Sequence, residues 1–391
     1  MQGNILFLSH MFPNPKRPVD GIFVLELARF INKLCPVSVF SPIPYFPCLY
    51  KTKKYKDFGS IARTAVFSDM KVYYYRYFMV PKYLKWLDGF SYACSMGLVA
   101  KEVLKKSSVL IAHWTYPDAF AGLVWGRILK KKIVLVVHGN ESIQYYDPPS
   151  LKKILIKLTL ANVDHIIAVS NDLKRKIVTT HNVPESRITV LPNGVDFNKF
   201  PFMTRYEARK QLGLPLGNKI LLTVARLSPE KALHTMIEAF SCIEEKKDIS
   251  LYILGDGPEK IHLENLVRQK GMERQISLVG SVPHGMIHLW MNSADIFLLS
   301  SLREGSPVVI GEAFACGTPV VASSVGGVPD LIVNDRLGML FEPNSSLAMH
   351  RSLETALLRE WDRDYIREYG LKLGWNNIAD RILKLIYNNF M

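Results

Sequence analysis

The chain has 391 residues, and 48% of them are hydrophobic. This length is more than one hydrophobic core usually holds, so we expect two domains. No segment reaches the roughly 18 uninterrupted apolar residues of a membrane span, and the first residues lack the basic region and cleavage site of a secretory signal. The five cysteines share no disulfide or metal spacing, so we expect a protein of the reducing cytosol.

The net charge of +14 comes from the first half of the chain. Residues 1–200 hold 28 Lys and Arg against 13 Asp and Glu, a balance of +15, whereas residues 201–391 hold 21 against 22. Such an asymmetry indicates an anionic partner, which is a membrane surface, a lipid phosphate or a nucleic acid.

The first elements have the patterns of a strand and an amphipathic helix. Apolar residues predict a buried strand over Ile5–Ser9, and after a Pro-rich loop a helix is expected over Ile22–Leu34, with Gly21 directly before it. Val37–Phe40 is the second predicted strand. The residues expected to face the core from the helix are Leu25, Ala28, Phe30, Ile31 and Leu34.

Residues 42–87 interleave aromatic side chains, lysines and prolines. This composition favours a surface at the membrane interface, with rings at headgroup depth and lysines on anionic lipid. In the alternative, the aromatic rings pack on the domain while the lysines are solvated. A nucleic-acid platform would use the same residue types, but no recognition motif accompanies the charge.

Two further buried strands, Val109–His113 and Ile133–Val137, end next to histidines. Ligands of open α/β sheets collect beyond the carboxyl ends of the strands, so His138, which follows the second strand, is a candidate site residue. For His113 and for Glu141, a functional role and a structural role both stay open.

The second domain is expected to begin near Pro192–Thr204, which gives domains of residues 1–200 and 201–391. Its first strand, Ile220–Val224, is followed by Arg226 and Lys231. A fixed guanidinium and a mobile ammonium beyond a strand suit a diphosphate leaving group, because their charge offsets the charge that develops on the phosphate.

Glu304–Asp330 has the pattern of a strand–loop–helix–strand unit with clustered glycines. The strand Ile296–Leu299 precedes it, and a helix is predicted over Val308–Cys316, with Pro307 as the proline of a first helical position and Gly317 just past the end. The start of such a helix suits a phosphate. Glu304 and Glu312 could contact one ligand at two points, or they could instead cap the helix and lie on its solvated face.

The pattern E-x7-E, then A-x-G-x-P-V and GG-x-P-[ED], resembles the nucleotide-sugar site of glycosyltransferase family 4 (GT4), the retaining enzymes of the GT-B fold. That resemblance implies two Rossmann-like, doubly wound domains that face each other across a cleft. Asp330 stands where Glu is commoner in the family. The HG-x-[DE] pattern at His138 and the PNGVD turn at Pro192–Asp196 are similar to family motifs as well.

The resemblance assigns roles to individual residues. Glu304 would contact the donor sugar, Glu312 the ribose, and His138 the sugar or acceptor side. The GR…KG pattern of the family places Arg226 and Lys231 on the diphosphate, although Ala225 and Ala232 stand here where Gly is usual. The remaining residues assigned to nucleotide-sugar binding are Gly21, in the first βα loop, Gly257, in a G-x-G-P turn, and Gly305, Ser306, Pro307, Val308 and Val309.

No catalytic metal and no cofactor are expected. The D-x-D of Asp362–Asp364 lies in a helix-prone segment, where capping a helix N-terminus is its predicted role. The last helix, predicted over Ala379–Tyr387, belongs to a segment from about residue 373 that commonly packs back on the first domain in this fold.

The sequence therefore predicts a metal-independent retaining glycosyltransferase that uses a nucleoside-diphosphate sugar, with uridine the family's commonest base, and a lipid-linked or glycan acceptor. The D-G-I-F and P-x-P stretches look most like enzymes of bacterial surface polysaccharide assembly, of teichuronic-acid or capsule type. We expect a cytoplasmic protein, peripheral on the inner face of the membrane. The alternatives are a nucleotide-sugar 2-epimerase of the same fold and a non-catalytic basic membrane scaffold.

Overall fold

Alternating strands and helices form two large, mostly parallel sheets and one small two-stranded sheet over the described residues. The computed structural model describes residues 4–46, 58–79, 82–99, 101–139, 151–244 and 246–390. One unit comprises Met1–Pro192 with Trp375–Met391, and the other comprises Asn193–Gly374. The division follows Pro192, which lies at the start of the predicted boundary range of residues 192–204 and before the predicted domain end at residue 200.

In the first unit, the described strands are β1 Asn4–Leu8, β2 Val37–Phe40, β3 Ile43–Tyr45, β4 Thr64–Phe67, β5 Met70–Tyr73, β6 Arg76–Phe78, β7 Ser107–His113, β8 Lys132–Val137, β9 His165–Ala168 and β10 Ile188–Val190. Its helices are α1 Ile22–Asn32, α2 Asp88–Val99, α3 Lys101–Lys106, α4 Phe120–Leu129, α5 Leu151–Asn162, α6 Asn171–His181 and α15 Trp375–Phe390. The main sheet has the order β10-β9-β8-β7-β1-β2-β5-β4 over the described residues, and β3 pairs with β6 apart from it. β4 runs antiparallel to β5, and the other neighbours in the main sheet are parallel.

In the second unit, the described strands are β11 Lys219–Val224, β12 Ile249–Leu254, β13 Ile276–Gly280, β14 Ile296–Leu299, β15 Val320–Ser323 and β16 Gly338–Phe341. Its helices are α7 Arg205–Leu212, α8 Leu233–Ser241, α9 Lys260–Gln269, α10 Ile287–Ser293, α11 Val308–Ala315, α12 Val328–Leu331, α13 Ser346–Leu358 and α14 Arg363–Leu371. The order β13-β12-β11-β14-β15-β16, parallel throughout the described part, is that of a doubly wound Rossmann sheet.

Burial explains why the apolar runs fold as central strands. Ile5–Leu8 of β1 and Ile296–Leu299 of β14 are almost completely buried, as expected for strands with both faces covered. Helix α15 packs on α1 through a buried apolar face, so the C-terminal helix belongs to the first unit.

Two local predictions are wrong. Helix α1 ends at Asn32, so Leu34 lies beyond it and is 59% exposed, whereas Val24 and Leu27 face the core. Pro307 is the residue before α11 and not its first helical residue. The predicted cap is confirmed, because Asp362 accepts a hydrogen bond from the backbone N–H of Tyr365 at the start of α14 (3.0 Å).

The basic aromatic segment of residues 42–87 packs into the first unit over much of its described length. Tyr74 and Tyr77 are buried, and Tyr75 stacks on Phe40 with 6.4 Å between ring centroids. Tyr45 and Phe78 remain partly exposed. Residues 47–57 and 80–81 lie outside the described residues, so the membrane role of this segment stays a prediction.

Candidate active site

The strand order of the second unit places the predicted donor residues at the carboxyl ends of two neighbouring central strands. Its order changes direction between β11 and β14, and in such sheets ligands bind in the crevice beyond the carboxyl ends at this point. Arg226 and Lys231 follow β11, whereas Glu304 and α11 follow β14. Arg226 and Glu304 therefore belong to neighbouring loops, although they are 78 positions apart in the chain.

Lys231 and Glu304 form an ion pair in this crevice. The ammonium lies 2.6 Å from Glu304 Oε1, and the Ser301 hydroxyl donates to the same oxygen at 2.6 Å. The side chains are 24% and 11% exposed, so water screens the pair only partly. A carboxylate held by two donors on one oxygen keeps its other oxygen for a ligand.

Backbone and hydroxyl contacts fix the two loops against each other. Ser300 donates its hydroxyl to the Lys231 carbonyl at 2.8 Å, and the Leu302 N–H donates to the Glu230 carbonyl at 2.8 Å. Gly326, with φ of 52°, approaches the Glu304 carbonyl so closely that a Cβ there would overlap it. The position of Glu304 is therefore set by its own loop, by the Lys231 loop and by the Gly326 turn.

Arg226 is exposed at the end of β11, and its loop rests on the Gly255–Gly257 turn. The Leu227 N–H donates to the Asp256 carbonyl at 2.9 Å, and a Cβ on Gly257 would overlap the Leu227 backbone. Gly257, predicted to contact the nucleotide, is thus needed for the close approach of these two turns. Ala232, where the family has Gly, adopts a left-handed φ of 45°.

Helix α11 begins beside Glu304 and carries Glu312. The Ser306 hydroxyl accepts a hydrogen bond from the Asn193 N–H at 3.0 Å, which fixes the start of the helix on the PNGVD turn. The first N–H groups of an α-helix lack intrahelical partners, so those near Gly305–Val309 suit an anion. Glu312, whose side chain is 10% exposed, lies 3.6 Å from His284 Nε2.

In the first unit, His138 follows β8 and pairs with His113 at the end of β7. His113 Nδ1 and His138 Nε2 are 2.9 Å apart, and Phe23 packs on the His138 ring with 4.6 Å between centroids. Burial lowers the pKa of the fully buried His113 well below its usual range, and the neighbouring His138 lowers this pKa further. His113 is therefore a neutral ring that orients His138.

Gly21 lies directly before α1 with φ of 65°, and a Cβ there would overlap the Met11 carbonyl. Its backbone is thus constrained by its own unit, whatever it binds. The first unit holds Gly21 and His138, and the second unit holds the other predicted site residues. Glu141 lies outside the described residues.

The sequence did not single out His10, Asp118 and Tyr92, which form a hydrogen-bonded group in the first unit. Asp118 is completely buried and contacts both His10 and Tyr92. The signal was present, because His10 closely follows β1 just as His138 follows β8. Among the described residues, no group of three or more His, Cys, Asp or Glu could hold a metal ion.

Two sequence models cover most of the chain. Residues 21–199 match the model described as Glycosyltransferase Family 4, and residues 204–373 match the model described as Glycosyl transferases group 1. The chain therefore belongs to the glycosyltransferases that combine these two domains.

Individual proteins are similar over nearly the whole length. A Bacillus subtilis (strain 168) protein named for teichuronic acid biosynthesis, the glycosyltransferase TuaC, is 28% identical over 89% of this chain and 88% of its own. Sucrose-phosphate synthase from Thermosynechococcus elongatus superposes with a TM-score of 0.77 at 19% identity, over 99% of both chains. Anabaena HepE, crystallised with UDP, gives 0.75 at 18% identity over 99% of this chain and 100% of its own. These structural neighbours are GT-B proteins, which confirms the predicted fold.

Proposed function

We propose that this glycosyltransferase moves a sugar from a nucleoside-diphosphate sugar to a lipid-linked or glycan acceptor. We expect the donor to be a UDP-sugar and the transfer to retain the anomeric configuration. The observation that carries the proposal is the Lys231–Glu304 ion pair at the crevice between β11 and β14, next to the start of α11. This one place combines a cation for phosphate, a carboxylate for sugar hydroxyls and a helix N-terminus.

The charges of the crevice suit a diphosphate. An ammonium has three N–H donors, so Lys231 can keep Glu304 and also donate to a phosphate oxygen. Arg226 adds a permanent positive charge at the end of β11. Glu312, further along α11, would then accept from the ribose hydroxyls, and the Gly305–Val309 backbone would hold sugar hydroxyls and phosphate.

The proposed transfer needs no metal. The acceptor oxygen bonds to the anomeric carbon on the face from which the diphosphate leaves, and the leaving phosphate takes the acceptor's proton. Arg226 and Lys231 offset the charge that develops on this phosphate. Glu304 has an electrostatic and positioning role, which agrees with a carboxylate that already accepts from Lys231 and Ser301.

The acceptor is proposed to belong to bacterial surface polysaccharide synthesis at the inner face of the membrane. The relative TuaC, named for teichuronic acid biosynthesis, supports this placement. In the first unit, α5 exposes Leu151, Ile154 and Leu158, with Lys153 and Lys157 exposed beside them. An apolar stripe flanked by lysines suits an anionic bilayer. Across the described part of the chain, no helix is both long and apolar enough to cross a membrane.

A thermal-shift panel of nucleotide sugars tests donor binding. A donor at about 100 times its dissociation constant should stabilise the wild type by about 2.7 kcal/mol. We expect UDP-sugars to shift the wild type and the control Glu368→Ala, an exposed glutamate on α14, but to shift Glu312→Ala much less. No shift with any nucleotide sugar, with or without lipid present, would favour the basic scaffold.

Sugar transfer itself is tested with Glu304→Ala. Loss of the carboxylate leaves Lys231 without its partner, so we expect transfer to fall at least about 100-fold, by analogy with the loss of one preorganised electrostatic group. The products are identified by mass spectrometry. A changed sugar nucleotide formed without any acceptor would indicate the 2-epimerase instead, and unchanged transfer by the variant would remove Glu304 from the mechanism.

A further inference from the structure

A buried carboxylate holds a histidine at the carboxyl end of β1. Asp118 is completely buried, the Tyr92 hydroxyl donates to its Oδ1 at 2.8 Å, and His10 Nδ1 contacts its Oδ2. Burial and Asp118 together raise the pKa of the Tyr92 hydroxyl, which therefore remains a donor. A buried charge is stable only when it is paired in this way.

These contacts fix the tautomer of His10. An ionised carboxylate only accepts hydrogen bonds, so Nδ1 carries the proton, and Nε2 is the acceptor nitrogen whenever the ring is neutral. Among the residues described, Asp118 is the side-chain partner of His10, and the bond uses Nδ1. The His10 side chain is 28% exposed and packs edge-on against Trp114, with 5.1 Å between ring centroids. An oriented, partly exposed acceptor nitrogen suits a ligand O–H group.

The location favours a ligand as well. In the first unit the strand order changes direction between β1 and β7, so this is the crevice where a doubly wound sheet binds its ligand. His10 follows β1, and Asp118 lies in the turn Thr115–Ala119 that follows β7. The group is thus built from both strands that border the crevice.

We propose that His10 binds the sugar acceptor, with Nε2 accepting a hydrogen bond from one of its hydroxyl groups. Asp118 is the positioning residue that sets the His10 tautomer, and Tyr92 holds Asp118. This inference rests on the proposed sugar transfer, to which it adds a residue for the acceptor. It involves no covalent step at His10, since the proton of the reacting hydroxyl leaves with the phosphate.

His10→Asn separates binding from structure. The Asn amide can replace Nδ1 as the donor to Asp118, whereas nothing replaces Nε2. We expect the KM for the acceptor to rise about 10-fold, the effect of one lost hydrogen bond. In His10→Asn, the rate of donor hydrolysis without acceptor and the melting temperature should stay near wild-type values. In His10→Gln, the amide oxygen reaches towards the Nε2 position and should recover part of the affinity for the acceptor.

The transfer assay of the His10 variants uses the donors UDP-glucose, UDP-N-acetylglucosamine and UDP-glucuronate. The acceptor probes are octyl β-D-glucoside, octyl N-acetyl-β-D-glucosaminide and farnesyl-diphosphate-linked N-acetylglucosamine. His262→Ala, an exposed histidine on α9, is the control and should behave as wild type.

An unchanged acceptor KM in His10→Asn, with an active wild type, overturns this inference and leaves the proposed function intact. So does a parallel loss of melting temperature and donor hydrolysis, which would show a structural role. A wild type that transfers no sugar to any probe overturns the proposed function and this inference together.

Discussion

Two predicted site glycines of this protein lie where close packing of the backbone already requires a glycine. Gly257 and Gly21 match motifs that bind nucleotides in the family, yet each lies against backbone of its own unit where a Cβ would overlap. A glycine that permits close packing and one that permits close approach of a ligand have the same sequence pattern. Only the three-dimensional neighbours distinguish them.

The buried His113 makes the stability of the first unit depend on pH. Its folded pKa is far below the unfolded value of about 6.5, so below pH 6.5 the unfolded chain binds a proton that the folded chain does not. The contribution of His113 to the free energy of unfolding is therefore complete above pH 6.5. It falls as the pH is lowered, by up to about 1.4 kcal/mol per pH unit.

His113→Phe should remove this contribution, so its melting temperature should fall less between pH 7.5 and pH 5.5 than that of the wild type. His165, whose pKa burial also lowers, remains in both proteins and cancels in the comparison. The control His262→Ala should retain the wild-type loss. An equal loss in His113→Phe would mean that His113 is protonated in the folded protein.

At the scale of elements, the sequence was most informative where strands are buried. The apolar runs Val37–Phe40 and Ile296–Leu299 agree with the structure at both ends, because a central parallel strand with both faces covered is a mostly apolar run. Leu34 was placed wrongly because helical periodicity alone does not show where the helix stops.

The residues of the candidate site also differ in whether the sequence could predict them. Glu304, Arg226 and Lys231 could be predicted because they lie next to strand ends within motifs. The pairing of His10 with Asp118 joins residues 108 positions apart and belongs to no motif, so it required the order of the strands.

The Gly326 turn provides a test of how tightly the Glu304 loop is held. Gly326→Ala puts a Cβ into the Glu304 carbonyl at a left-handed φ, whereas Gly213→Ala has a similar φ of 67° but open space around the added carbon. We expect Gly213→Ala to cost about 1–2 kcal/mol, the left-handed term alone, and Gly326→Ala to cost more and also to weaken donor binding. Urea unfolding and the thermal-shift panel measure both effects. Equal costs would show that the turn relaxes freely.

At the scale of the whole molecule, charge and apolar exposure are distributed unequally. Residues 1–200 carry a balance of +15, and α5 in this half exposes an apolar stripe with lysines. Residues 201–391 hold nearly equal numbers of acidic and basic residues together with the predicted donor site. This unequal distribution agrees with the proposal that the first half of the chain meets an anionic membrane surface.

We expect the full-length protein to sediment with vesicles of phosphatidylglycerol and phosphatidylcholine in 0.1 M NaCl, and to be largely released in 1 M NaCl. The reason is that the Debye length shrinks from about 10 Å to about 3 Å. The double variant Ile154→Glu/Leu158→Glu should bind less at low salt, because it puts two acidic groups into the apolar stripe. The double variant Leu347→Glu/Leu358→Glu on α13 of the second unit, at leucines that are 58% and 88% exposed, is the matched control and should bind as wild type. Equal sedimentation with neutral and anionic vesicles would contradict an electrostatic contact, and equal loss in both variants would remove α5 from it.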